Sequence, residues 1–360
     1  MTEQAVAAVA VPNPASAFKQ LCEHIAEHGI EAQRLGDRGI RFTHEGCTLE
    51  FSHDDAELDI SINAPSQNML FFLKEAAASH IAEIDAVAGA GIRWSDDAGS
   101  GVEAGGRPLN FRELRLIESR DVLSNMVRLT LTGDNISDLG VDGLHVKLML
   151  SANGQVNPTW PTVAANGVTV WPDGENALHV RYFTLRHVRL GDNCVDIDVV
   201  KHVGGKVADW ASTAKIGDRI GVMGPGGGGI PEFDGRLLLS GDETALPAIA
   251  RIIESLPPDR PCDLVIGMAD DDKLEDYLSF GSQVAIHRLD SSVFNSRAVE
   301  VLHEVAEQNG RPAYAWFGGE FDTANAVRRL FKGEFGLTKG NQLSVAYWQR
   351  GREQRADGSD

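Results

Sequence analysis

The 360-residue sequence lacks closely spaced cysteines. Its four cysteines are far apart and form no Cys-x-x-Cys pair: they are Cys22, Cys47, Cys194 and Cys262. This spacing argues against a disulfide scaffold, a zinc site and a cysteine-ligated iron–sulfur cluster, so we expect no protein-bound metal. Any redox chemistry of this chain must therefore come from an organic cofactor.

Long apolar runs and an excess of positive charge are also missing. The sequence has no run near the roughly 18 apolar residues that cross a bilayer, and its start lacks the positive region of a secretory signal. We therefore expect a cytoplasmic protein without membrane insertion. The formal net charge is −19, from 33 Lys and Arg against 52 Asp and Glu. This balance argues against nucleic acid as a partner but not against small anionic ligands, which respond to local charge.

The order of helical and strand-like patterns divides the chain into segments. An early stretch combines helical spacing with period-two strands, a middle stretch holds short strands, and a late stretch alternates strands with helices. These patterns predict a small α+β domain, an antiparallel β-barrel and an α/β domain with an open parallel sheet. The predicted boundaries are a flexible tail at 1–15, the α+β domain of unknown role at 16–97, a linker at 98–107, the barrel at 108–232, the α/β domain at 233–350 and a tail at 351–360.

The most informative motif is RYFTLR at residues 181–186, on a predicted barrel strand. Arg181 can fork onto a diphosphate, and an aromatic ring two residues later lies on the same strand face, where it can stack on a flat ring. The motif resembles the Arg-x-Tyr-Ser/Thr flavin motif of the ferredoxin-reductase superfamily. The resemblance implies that Arg181 binds the FAD pyrophosphate, Phe183 stacks on the isoalloxazine and Thr184 lies near flavin N5. Phe183 replaces the usual Tyr, and an ordinary surface strand is an alternative of equal weight.

A second stretch, DIDVVKHVGGKVADWASTAK, follows on the barrel. It is similar to the second flavin-binding segment of siderophore-interacting proteins. A pair of glycines before a short helix lets backbone N–H groups meet a diphosphate, although a plain turn is the commoner role of such a pair. The FAD contacts implied here are His202, Gly204, Gly205, Lys206 and Val207.

A third motif, GDETALPAI, begins after an apolar strand and leads into an apolar helix. That setting is typical of a nicotinamide dinucleotide site on an open α/β sheet. The nonapeptide resembles the same stretch of siderophore-interacting proteins. Thr244 either contacts the pyrophosphate or caps the helix, and the two roles are compatible. The implied dinucleotide contacts are Gly241, Asp242, Glu243, Thr244 and Ala245.

Two late motifs, WFGGE and AYWQRG, resemble the paired signatures of the same family. Glycines at the end of a strand allow a ligand to approach the backbone closely. The terminal aromatic pair lies near the flavin in this interpretation, and burial in the core is the alternative. The implied cofactor residues are Gly318, Gly319, Glu320, Tyr347 and Trp348.

The resemblance covers roughly residues 108–352 and implies an FAD-dependent NAD(P)H:ferric-siderophore oxidoreductase with a ferredoxin-reductase-like fold. FAD would link a two-electron donor to the one-electron reduction of chelated Fe(III), so no residue needs to act as acid, base or nucleophile. An anionic ferric siderophore would dock on local positive charge. The candidate docking residues are Arg186, Lys201, Lys206, Arg350 and Arg352. A flavin or quinone reductase and a non-catalytic siderophore-binding protein are the alternatives.

Two smaller features remain open. Asp270, Asp271 and Asp272 follow the second strand of the α/β domain, where they would repel the 2′-phosphate of NADPH, so the sequence slightly favours NADH. The early domain holds several histidines, which are better explained as scattered surface residues than as a metal site. They are His24, His28, His44, His53 and His80.

Overall fold

The computed structural model describes residues 2–27, 32–44, 46–96, 104–140, 143–226, 233–269, 274–278 and 283–351. The chain divides into two compact units. The N-terminal unit comprises Met1–Phe111 with Asn157–Ala177, and the barrel unit comprises Arg112–Val156 with Leu178–Asp360. The sequence assigned residues 157–177 to the barrel. In the structure this excursion between two barrel strands belongs to the N-terminal unit instead.

The N-terminal unit is a six-stranded antiparallel sheet with helices, in the strand order β2-β3-β4-β5-β1-β6. The predicted α+β architecture is thus confirmed. Elements are numbered along the whole chain. Those of this unit are β1 (Glu3–Ala10), α1 (Pro14–Glu27), β2 (Gln33–Arg34), β3 (Gly39–His44), β4 (Cys47–His53), β5 (Glu57–Ala64), α2 (Gln67–Ile84), α3 (Ala86–Gly91), β6 (Ser95–Asp96), β10 (Thr162–Val163) and β11 (Thr169–Val170).

The flexible tail predicted for residues 1–15 is wrong. Strand β1 pairs antiparallel with β5 along its full length, from the pair of Glu3 with Ala64 to the pair of Ala10 with Glu57. Its sequence, EQAVAAVA, points every second side chain into the core, where Ala5 is 1% exposed. Alanine is a weak strand former, so its small side chains gave the period-two pattern of β1 little weight in the sequence. The strand forms because it pairs with neighbouring strands.

The barrel unit begins with a closed antiparallel barrel in the order β12-β13-β8-β7-β14-β9. Leucine, isoleucine and valine side chains fill its interior, among them the fully buried Leu148 and Ile197. The barrel elements are β7 (Phe111–Leu123), β8 (Met126–Thr132), β9 (His145–Ser151), β12 (Leu178–Arg189), β13 (Cys194–Val200), α4 (Lys206–Thr213) and β14 (Arg219–Gly226).

A five-stranded parallel sheet in the order β17-β16-β15-β18-β19 completes the unit. Every residue of β15, β16 and β18 is buried, as expected for central strands covered on both faces. The predicted barrel and parallel α/β sheet are therefore confirmed. The elements are β15 (Leu237–Gly241), α5 (Leu246–Ser255), β16 (Cys262–Met268), α6 (Leu274–Tyr277), β17 (Val284–Asp290), α7 (Ser291–Asn309), β18 (Tyr314–Glu320), α8 (Phe321–Gly333) and β19 (Gln342–Trp348).

None of the helices among the described residues combines the length and the apolar character needed to cross a membrane.

Candidate functional site

The parallel sheet changes direction between β15 and β18. The chain proceeds outward from β15 to β16 and β17, then crosses to β18 and β19 on the other side. Ligands of open α/β sheets bind at such a switch point, outside the carboxyl ends of the strands. Gly241 and Gly318 are paired there in neighbouring strands. This is the position that the GDETALPAI and WFGGE motifs predict for a dinucleotide.

Only glycine fits at these two positions. A Cβ atom on Gly241 would lie 2.5 Å from the Gly318 carbonyl oxygen and 2.5 Å from the Cβ of Ala245. A Cβ atom on Gly318 would lie 2.8 Å from the ring of Trp316. The two strands and the start of helix α5 therefore approach more closely than any side chain allows.

Asp242 organises the loop that follows β15. It is 6% exposed, and its Oδ1 accepts hydrogen bonds from the backbone N–H (2.9 Å) and the hydroxyl of Thr244. Its Oδ2 accepts a hydrogen bond of 2.8 Å from the indole Nε1 of Trp348. Burial raises the pKa of this carboxyl, although these hydrogen bonds oppose the rise. Asp242 thus links two of the predicted motifs, and Thr244 makes no side-chain cap on α5, whose N-cap residue is Ala245.

Glu320 has a structural task. It is 3% exposed and caps α8 by accepting hydrogen bonds from the backbone N–H groups of Asp322 (2.8 Å) and Thr323 (3.1 Å). Its other carboxylate oxygen accepts a bond of 3.3 Å from the backbone N–H of Arg350. The carboxylate of Glu320 therefore faces protein backbone, so the cofactor contact implied for it can involve only its main chain.

The flavin motif lies on β12, opposite β9. Arg181 and Phe183 share one strand face, as predicted, and their partners Leu148 and Val146 belong to the barrel core. Phe183 is partly buried against that core. The opposite face carries Tyr182, which the sequence interpretation passed over.

Tyr182 is the exposed ring of the motif. It is 59% exposed, and Nζ of Lys147 lies 5.4 Å from its ring centroid. Thr184 is two residues further along and shares its strand face. A flat ligand placed beside Thr184 would thus find Tyr182 on the same face, whereas stacking on Phe183 stays a prediction.

His145 joins the barrel motif to the C-terminal strand. The Thr184 hydroxyl lies 3.3 Å from its Nδ1, and the Tyr347 hydroxyl lies 3.3 Å from its Nε2. Burial and the nearby charge of Arg251 lower the pKa of His145 to about 4. The ring is therefore neutral near pH 7, with one nitrogen that donates and one that accepts. No sequence motif marks His145, because it lies in an ordinary strand.

The second predicted flavin segment forms a turn before α4. Gly204 has a φ of +87°, and a Cβ atom on Gly205 would lie 2.3 Å from the His202 ring. The Val207 side chain is 3% exposed in the barrel core, so only its backbone can contact a ligand. The His202 ring therefore packs against Gly205, whereas the space beside Gly204 is open.

Two predicted cations lie around one histidine near that turn. Burial and the charges of Arg181 and Lys206 together lower the pKa of His179 to about 4. Nζ of Lys206 donates a hydrogen bond of 2.8 Å to the Ala152 carbonyl. The fold therefore brings positive charge from β12 and α4 to one place, which the sequence could not establish.

The candidate docking cations differ in burial: one is buried and three lie at the surface. Arg186 is 2% exposed and makes a bidentate ion pair with Glu254, at 2.7 and 2.6 Å, so it offers no free charge to a substrate. Lys201 lies at the surface and pairs with Asp121 at 3.0 Å. Lys206 and Arg350 are exposed. Arg352 and the aspartates at 270–272 lie outside the described residues.

Of the histidines in the N-terminal unit, two contact each other. His24 Nε2 lies 3.1 Å from His80 Nδ1 and 3.0 Å from a carboxylate oxygen of Glu83. His28 and the side chain of His44 lie outside the described residues.

Three stretches of the chain match known protein families. Residues 115–229 match the siderophore-interacting FAD-binding domain, and residues 235–351 match the siderophore-interacting protein family. Residues 6–95 match a family of uncharacterized proteins conserved in bacteria, DUF2218. The first two matches coincide with the barrel and the parallel sheet.

Individual proteins give the same picture. The ferric vibriobactin reductase of Vibrio cholerae is 27% identical over 255 residues, which cover 68% of this chain and 92% of that protein. A siderophore utilization protein from T. fusca is 32% identical with a TM-score of 0.55, over 70% of this chain and 97% of that chain. The ferredoxin reductase of carbazole 1,9a-dioxygenase, 15% identical with a TM-score of 0.50 over 71% of this chain and 72% of that one, shares the fold. The ferredoxin-reductase-like architecture is thereby confirmed.

Proposed function

The chain belongs to the siderophore-interacting protein family, and from this membership we propose that it is an FAD-dependent NAD(P)H:ferric-siderophore oxidoreductase. It would reduce chelated Fe(III) to Fe(II) and so release iron inside the cell. One observation carries the proposal: Thr184 of the flavin motif and Tyr347 of the C-terminal motif contact the two nitrogens of a single histidine. Two motifs far apart in sequence are thus joined through one side chain, which supports a shared site.

The residues present fit FAD. Arg181 and Lys206 supply converging positive charge, and Gly204, in the turn before α4, leaves its backbone open to a ligand; both suit a diphosphate. Thr184 and the exposed ring of Tyr182 share a strand face that suits a flat ring system. When bound, FAD supplies the link between a two-electron donor and a one-electron acceptor. The protein contributes binding and orientation.

The switch point of the sheet fits a nicotinamide dinucleotide. Gly241, Gly318 and Gly319 place no side chains at the carboxyl ends of β15 and β18, and the loop of Asp242 is fixed by Thr244 and Trp348. Because these hydrogen bonds come from the protein itself, little ordering of the loop is needed on binding. The aspartates at 270–272 favour NADH as the donor.

A ferric siderophore would dock on exposed positive charge. With Arg186 held by Glu254, the docking set that we propose is Lys201, Lys206 and Arg350, together with Arg352. Because Lys206 and Arg350 are exposed, their charges act on the encounter with an anionic chelate and weaken at high salt.

Absorbance of the purified full-length protein tests the proposal. We expect a yellow protein whose flavin absorbance is bleached by NADH, more slowly by NADPH, and restored by an anionic ferric chelate. A protein that stays colourless after incubation with excess FAD would contradict the flavin assignment. Reoxidation by quinones but not by ferric chelates would instead favour a quinone reductase.

The docking set is tested by the Michaelis constant for the chelate. Lys201→Ala combined with Arg350→Ala should raise this constant severalfold at low salt and leave bound flavin unchanged. Lys215→Ala, an exposed lysine after α4, is the control and should have no effect. An unchanged constant in the double variant removes these residues from the docking set.

A further inference from the structure

His145 lies between two hydroxyl groups. Thr184 and His145 are direct cross-strand partners in β12 and β9, so their side chains leave the same face of the barrel. The Thr184 hydroxyl lies 3.3 Å from Nδ1 of the ring, and the Tyr347 hydroxyl lies 3.3 Å from Nε2. The three side chains therefore form a short chain of hydrogen bonds, which begins at the flavin motif and ends in the C-terminal motif.

None of the three side chains is charged near pH 7. Burial and the nearby charge of Arg251 lower the pKa of His145 to about 4, so its ring holds a single proton, on one of its two nitrogens. Burial and the nearby Asp242 carboxylate raise the pKa of Tyr347, so the phenol keeps its proton. Together with the hydroxyl proton of Thr184, the chain contains three protons for two hydrogen bonds.

These protons allow two arrangements of the chain. A neutral imidazole donates from one nitrogen and accepts at the other, so it cannot donate to both hydroxyls or accept from both. In the first arrangement Tyr347 donates to Nε2, Nδ1–H donates to Thr184, and the Thr184 proton points out of the chain. In the second, Thr184 donates to Nδ1, Nε2–H donates to Tyr347, and the Tyr347 proton points out. The tautomer of His145 therefore decides which end of the chain offers a donor.

The two redox states of a flavin need opposite partners at N5. In oxidised FAD, N5 carries no proton and accepts a hydrogen bond, whereas in reduced FAD it carries a proton and donates one. A hydroxyl beside N5 must therefore donate in one state and accept in the other. That this hydroxyl belongs to Thr184 rests on the proposed function.

We propose that His145 is a positioning residue that changes tautomer with the redox state of FAD. With oxidised FAD, the Nδ1–H tautomer leaves the Thr184 proton to donate to N5. With reduced FAD, the Nε2–H tautomer holds the Thr184 proton at Nδ1, so that Thr184 accepts from N5–H. Nδ1 loses one proton and Nε2 gains one, so the ring stays neutral and the three side chains together neither gain nor lose a proton.

Nitrogen chemical shifts of the imidazole ring report the tautomer directly. Full-length protein labelled with 15N-histidine is compared with its FAD oxidised and with its FAD reduced anaerobically by dithionite, which requires neither NADH nor a siderophore. Among the 11 histidines, we expect one ring whose protonated nitrogen changes from Nδ1 to Nε2 on reduction. An unchanged tautomer of His145, or a ring protonated at both nitrogens, overturns the proposal.

Variants identify the ring and test its link to FAD. The changing signal should be missing in His145→Gln; if that variant fails to fold, Tyr347→Phe identifies the signal, because it removes the hydroxyl that contacts Nε2. Thr184→Val keeps the branched shape without the hydroxyl, so His145 should then keep one tautomer in both redox states. Thr132→Val in β8 is the matched control, because its hydroxyl bonds only the Asn193 carbonyl among the described residues, and it should retain the change. A change that persists in Thr184→Val overturns the proposal.

Flavin absorbance separates the tautomer change from the proposed function. A protein that binds no FAD contradicts the proposed function and, with it, the tautomer change. A protein that binds FAD and is bleached by dithionite, but whose His145 signals stay the same, overturns the tautomer change alone.

Discussion

The hydroxyl of Tyr347 lies 3.3 Å from Nε2 of His145, across 202 positions of sequence. The two rings meet edge to face with centroids 5.7 Å apart, and the Trp316 ring also meets Tyr347 edge to face, with centroids 6.2 Å apart. The barrel and the parallel sheet are thus joined beside Thr184. Since His145 has no alternative partner for that nitrogen within hydrogen-bond reach among the described residues, this contact fixes the orientation of its ring.

We expect His145 to make the protein sensitive to mild acid. Its pKa is about 4 in the folded protein against an ordinary value of 6.5, so between these values only the unfolded chain binds the proton. The free energy of unfolding should therefore fall as pH decreases from 6.5 towards 4. Between pH 7 and pH 5, protonation of this residue lowers the free energy of unfolding by at most about 2 kcal/mol.

Urea unfolding of wild type and His145→Gln at both pH values measures this contribution. The variant should lose less stability than the wild type between pH 7 and pH 5. His303→Gln, on the surface of α7, is the control and should behave as wild type. An identical loss in wild type and His145→Gln would mean that the buried ring is not the source.

Gly241→Ala should disturb the dinucleotide edge. The new methyl group would meet a backbone carbonyl at 2.5 Å, which cannot move without shifting β18. We expect a loss of about 1–3 kcal/mol in stability and weaker NADH binding, measured by thermal unfolding and titration. Gly340→Ala, which meets no atom within 4 Å, serves as the control and should change neither quantity.

Arg186→Met should destabilise the protein by about 3 kcal/mol, because it leaves the Glu254 carboxylate without its partner. Glu254 is 32% exposed at its side chain, so solvent will reduce this figure. The double variant with Glu254→Leu should recover most of the loss in urea unfolding. Failure of the double variant to recover would show that Arg186 acts through other contacts, such as its bond of 3.3 Å to the Tyr277 carbonyl.

Glu320→Ala should shorten or loosen the start of α8. Removal of an N-cap side chain costs about 1 kcal/mol, and here the backbone bond from Arg350 is lost as well. We expect a lower unfolding midpoint with little change in FAD affinity. Glu304→Ala, an exposed residue of α7, controls for the loss of negative charge. A large loss of FAD affinity with unchanged stability would restore Glu320 as a cofactor ligand.

Much of the fold was predictable, because helices and strands are encoded in short windows of sequence. The apolar strand before GDETALPAI and the helix after it predicted the parallel α/β sheet, and the middle strands predicted the barrel. The prediction for β1 was wrong because it, too, was made from a short window of sequence. A strand rich in alanine has a weak local signal and forms because β5 and β6 offer hydrogen bonds on both of its edges.

The sequence by itself determined which residues carry motifs: Arg181 to Thr184, Gly241 to Thr244, and the pair Tyr347 and Trp348. Only the tertiary structure decided which of them meet. His145 was brought between Thr184 and Tyr347, Arg186 was buried against Glu254, and the excursion at 157–177 was assigned to the N-terminal unit. These outcomes depend on barrel closure and on register between distant strands. Local periodicity carries no information about either, because the energy that fixes them comes from packing across the whole unit.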